Sequence, residues 1–149
     1  MKLIPTIGAV SFAVIVTIWL QKLHHAGLRR LAEQHMGGRP RRSSGEFGKE
    51  FYPDHAHVAA RIRDLLAEYL PLDLAQLEPG DRPVIDLKMD DLDSMSTVEL
   101  VIALEKEFEI NILDADAEKM ITFDDICTHV ISKLKEKKVD TPRVEAIDL

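Results

Sequence analysis

The residues best placed to do chemistry lie in "DDLDSMSTVELVIALEKEFEI", residues 90–110, where Ser94 follows Asp93 at the mouth of a helix-like pattern. As a catalytic nucleophile Ser94 lacks its surroundings: there is no G-x-S-x-G elbow, and no histidine has the context of an activating base. A calcium loop also fails. With Asp91 and Asp93 as first and third ligands, the fifth place falls on Met95 and the sixth on Ser96 instead of glycine. Two roles remain. Ser94 can cap the helix, although Thr97 occupies the place of the Glu or Gln that completes a capping box. Alternatively its hydroxyl is a substrate for modification, since a helix amino terminus favours an attached phosphate through its free N–H groups and dipole. On residue types and spacing alone the capping role is the stronger of the two.

The other reactive side chains read as structural. Cys127 is the sole cysteine, which rules out an internal disulfide, and "FDDICTHVISKL" places it in an apolar-periodic segment as a small buried hydrophobe. His24 and His25 are adjacent and cannot share a helix face, and His55 and His57 point apart, so neither pair suits a metal.

The elements that position Ser94 follow from periodicity. Leu100, Leu104 and Phe108 form an i, i+4, i+8 core stripe flanked by Val101, while Val98 and Ile102 share another flank with Glu99, Glu105 and Glu109. An earlier helix is expected over 53–71, with Val58, Ile62, Leu65, Leu66, Tyr69 and Leu70 on one face, Asp54 as cap and Pro71 as stop. The connection over 72–93 carries a Pro79-Gly80 turn and reads as an ordered loop pinned by apolar anchors. "DADAEKM" reads as a short helical turn, and 122–138 as a last helix capped near Thr122. The expected fold is an all-α bundle of three main helices and one short one over 51–138, with a disordered tail over 139–149.

Charge divides the chain. Residues 1–50 hold 8 Lys/Arg against 3 Asp/Glu, a net of +5, and residues 51–149 hold 11 against 23, a net of −12. The acidic part repels nucleic acid and attracts basic protein surfaces, whereas the basic part suits anionic headgroups. "LIPTIGAVSFAVIVTIWL", residues 3–20, has no charge and as a helix is roughly 27 Å long at about 1.5 Å per residue, against a hydrocarbon core of roughly 30 Å. The expectation is a single transmembrane helix within 1–22, with the basic flank after it placing the rest of the chain on the cytoplasmic side. A juxtamembrane segment and flexible linker are expected over 23–50, where "MGGRPRRSSGEFGKE" is rich in Gly, Ser and charge.

"DSMSTVELVIALEKEFEI" resembles the acyl carrier protein family, whose signature is D-S-[LM] followed by a helix of the type x-x-V-E-L-V-x-x-L-E-x-x-F. The likeness extends through "INILDADAEKMITFDDICTHVISKL" and, with the 53–71 helix and the long loop, covers about residues 51–138. It implies a four-helix carrier bundle, itself non-catalytic, with 4′-phosphopantetheine attached to Ser94 by an external phosphopantetheinyl transferase. It further implies that Asp93 helps bind that enzyme's magnesium ion. Acyl-loading and acyl-consuming enzymes of fatty acid, lipid or polyketide-like synthesis would dock on Met95, Val98, Glu99, Ile102, Glu105 and Asp114. The chain departs from the family pattern at Asp91, often glycine, at Ser96, often acidic, and at Lys106, which interrupts the acidic face. An unmodified docking module, and an aminoacyl or aryl carrier loaded by an adenylating enzyme, stay open beside this reading.

Overall fold

In the computed structural model the described residues are 7–70, 72–89 and 97–140, with residues 7–12 and 140 described by backbone alone. Among the described residues there are six α-helices: α1 Ile7–Met36, α2 Ser44–Phe51, α3 Ala56–Tyr69, α4 Thr97–Phe108, α5 Asp114–Ala117 and α6 Phe123–Asp140. Short 3-10 turns occupy Pro53–His55 and Leu74–Gln76, and no strand occurs among the described residues.

No helix among the described residues is long and apolar enough to cross a membrane. This overturns the expected transmembrane helix within 1–22, the bilayer contact through 3–20, and the single-pass placement with the domain on the cytoplasmic side. Within α1 the uncharged run ends at Gln21, before Lys22. Beyond it the same helix continues through Lys22, Arg29, Arg30 and Glu33 and brings Ala32 and Met36 into the protein core. The basic residues assigned to headgroups meet carboxylates of this same chain instead. Arg39 pairs with Asp81, Arg41 with Asp73, and Arg42 with Glu50.

The stretch read as a flexible linker is likewise ordered. Ser43 caps α2 in a full capping box, its Oγ accepting from the Glu46 N–H at 3.3 Å and its own N–H donating to the Glu46 carboxylate at 2.8 Å. Those bonds hold the Glu46 carboxyl below its ordinary range. Phe47 is fully buried, edge-on to Phe123 at 5.3 Å between ring centroids. Gly48 permits the α2–α3 approach: a Cβ there would stand 2.2 Å from the Ala56 carbonyl oxygen. Arg63 of α3, 5% exposed, donates to the Ser43 and Arg42 carbonyls at 3.1 and 2.7 Å and lies over the Phe47 ring.

α3 begins at Ala56, later than expected, because Asp54 sits inside the preceding 3-10 turn and no side chain caps the helix. Pro71 lies outside the described residues. The long loop is knitted to α6: Phe123 N–H donates to the Asp81 carbonyl and Asp124 N–H to that of Pro79, both at 2.8 Å. Thr122 and Asp125 cap α6 reciprocally, at 3.1 and 2.8 Å, which lowers the Asp125 carboxyl's affinity for a proton.

Candidate functional site

α4 starts three residues after Ser94. Ser94, Asp93 and Met95 themselves lie outside the described residues. From Thr97 onward the helix is oriented by its core stripe. Leu100 and Leu104 are buried at 3% and 0% exposure, so the opposite flank of α4 is turned outward, with Val98 at 66% and Ile102 at 56%. Exposed β-branched side chains on an otherwise ordinary amphipathic helix are surface unused by the protein's own core.

These side chains line a groove of about 690 Å³ between α4 and α5. Val98, Val101 and Ile102 form the α4 wall, and Ile112, Leu113 and Ala117 the other. Glu105, Asp114 and Glu118 add carboxylates, and Thr97 marks the end nearest Ser94 in sequence. The surface thus combines apolar contact with negative charge, suited to a partner with an apolar knob ringed by cations.

The proposed partner residues divide on inspection. Val98 and Ile102 line the groove, Asp114 stands exposed at the start of α5, and Glu99 is exposed on α4 beside them. Glu105 has a structural duty as well: its carboxylate accepts from the Ile112 N–H at 2.7 Å, bridging the end of α4 to the loop that forms the second wall. Glu109 closes α4 in the left-handed region at φ 51°, and the Ile110 N–H returns to the Glu105 carbonyl at 3.2 Å. Lys137 of α6 donates to the Glu109 carbonyl at 3.1 Å. Behind the groove, the Arg61 guanidinium joins α3 to α4 through two bonds to Glu107, at 2.6 and 3.0 Å, and holds that carboxyl below its ordinary range.

Val101, Ile112, Leu113 and Ala117 belong to the groove although the sequence pattern did not assign them to it. The signal available was the adjacent apolar pair in "INILDAD": one of two consecutive side chains must face away from a core. Ile112 is 5% exposed and Leu113 58%.

Two other clusters bear on chemistry. Cys127 is fully buried, and burial pushes its thiol up to about 12, so it is held as a neutral, inert side chain. His35, Asp81 and Asp86 bring an imidazole nitrogen and two carboxylate oxygens within 4.8 Å of one another. Arg39 donates to Asp81 at 2.6 Å and Arg82 to Asp86 at 2.9 Å. These guanidiniums supply the positive charge that a cation would bring and occupy carboxylate lone pairs it would need. The cluster is therefore an ion-pair network. A scan against models of known protein families finds none that matches this chain.

Proposed function

We propose that this chain is an acyl carrier protein, holding acyl intermediates as thioesters on 4′-phosphopantetheine attached to Ser94. The observation that supports it best is the outward groove of α4. The helix that follows Asp93-Ser94-Met95 in sequence buries its Leu100/Leu104 stripe and presents Val98 and Ile102 beside carboxylates, a surface suited to partner enzymes.

In this reading a phosphopantetheinyl transferase joins the Ser94 oxygen to the phosphorus bearing the pantetheine, breaking the pyrophosphate bond of coenzyme A and releasing its nucleotide half. Asp93, beside Ser94 in sequence, would help hold that enzyme's magnesium ion. Once attached, the arm's thiol carries the acyl group. The protein's own part is recognition: apolar contact from Met95, Val98 and Ile102, and charge from Glu99 and Asp114, meet basic patches on acyl-loading and acyl-consuming enzymes of fatty acid, lipid or polyketide-like synthesis. Glu105 holds the groove's second wall in place.

The inert cysteine offers a direct assay. Native apo-protein exposes no reactive thiol, whereas the arm ends in one. After incubation with a broad-specificity transferase and coenzyme A, the folded chain should take up one maleimide, and the Ser94→Ala variant none. Equal labelling of the two proteins would remove Ser94 as the attachment point.

A further inference from the structure

α1 is a 30-residue helix with a small seat on the rest of the protein. Ala32 and Met36 are buried and Leu28 packs beside them, while residues 13–27 are exposed. The remaining hold is polar. His35 Nε2 lies 2.9 Å from Asp81 Oδ1 and 3.8 Å from Asp86 Oδ2, on the loop before α4. Arg39, just past the helix, donates to the other Asp81 oxygen at 2.6 Å. Asp81 is 3% exposed and also accepts from the Glu78 N–H at 2.8 Å, so its position is fixed by its own turn.

Between His35 and Arg39 stand Gly37 and Gly38. Gly38 adopts φ +82°, a conformation that side-chain-bearing residues rarely take, and the space around its missing Cβ is open. Immediately after this pair the chain is fixed again. The Arg42 N–H donates to the Ala75 carbonyl at 2.8 Å, and the Gln76 amide donates to the Arg39 carbonyl. A permissive diglycine therefore joins a long helix to an immobilised segment, with the contacts of His35 to Asp81 and Asp86 bridging across it.

We propose that Gly37–Gly38 is a hinge and that His35 with Asp81 and Asp86 is the latch that sets the angle of α1. The latch holds α1 against the body formed by residues 39–140. Its loss lets α1 tilt on its Ala32–Met36 seat while the body stays folded.

The test is a distance distribution from paired spin labels on the full chain, with Gln21→Cys on α1 and Lys135→Cys on α6, Cys127 being buried and inert. The latched protein should give one narrow distribution. Asp81→Asn and His35→Ala should each broaden it or add a second distance, while near-ultraviolet dichroism of the body stays native. His35→Ala keeps the test valid if loss of the buried Asp81 charge also loosens the 78–81 turn, since His35 makes no bond to that turn other than to Asp81. A narrow distribution unchanged in His35→Ala, or a broad one already in the parent protein, would overturn the proposal.

Discussion

Single carboxylates in this protein do different work according to what they face. Glu105 and Glu99 lie on neighbouring turns of α4, yet the Glu105 carboxylate is spent on the Ile112 N–H. A hydrogen bond to a charged group is worth about 1.5–3 kcal/mol. Glu105→Ala should therefore lower stability to urea by about 1–2 kcal/mol, whereas Ile102→Ala, with its side chain already in water, should change it by under about 0.5 kcal/mol. If the groove serves partners, Ile102→Ala should instead slow acyl transfer several-fold, read from steady-state rates with a loaded carrier. Asp86 gives a pH dependence. The Arg82 guanidinium holds its carboxyl down at about 2, below its ordinary value of 3.8. A depressed carboxyl adds stability above its unfolded value and loses it as pH falls toward the folded one. Acid unfolding should show this loss between about pH 4 and pH 2, and Arg82→Ala should flatten it.

Among the elements, α2 carries more than its sequence suggests. Gly48→Ala would press a methyl group against the Ala56 backbone. Overpacking of this kind typically costs about 1–3 kcal/mol, and because backbone cannot swing aside the upper end is expected in a denaturant melt. Phe47→Ala should cost about 3–5 kcal/mol through the cavity left against Phe51 and Phe123. The core stripe of α4 and the cap of α6 were legible in the sequence because each depends on local spacing: Leu100 and Leu104 on i, i+4, Thr122 and Asp125 on a reciprocal cap. α2 was not, because "SSGEFGKEF" combines two glycines with few apolar residues, and composition alone reads that as linker. Its helix exists because Ser43 and Glu46 form a capping box and because α3 offers Phe47 a place to be buried. The first is a local signal that was available, in S-x-x-E; the second is tertiary.

At the scale of the whole molecule, the charge asymmetry marks an internal junction. A basic segment followed by an acidic domain invited a reading in terms of headgroups, but Arg39, Arg41 and Arg42 find Asp81, Asp73 and Glu50 within the chain. Sequence counts reveal opposite signs and cannot reveal that the two regions meet. Continuation of the helix through residues 21–35 was legible, but not that Ala32 and Met36 at its end are buried in the core. Residues 51–149 therefore lack part of the core, including Ala32, Met36 and Phe47. Without Met36 and Phe47 that fragment should be at least about 3 kcal/mol less stable than the full chain, which comparative urea titrations would show.

The carrier reading stands on Ser94. The most direct measurement is the intact mass of the full chain, prepared with a broad-specificity phosphopantetheinyl transferase and coenzyme A, beside Ser94→Ala. The account requires one phosphopantetheine increment on the parent protein and none on the variant. A folded parent protein that gains no mass with an active transferase would contradict it.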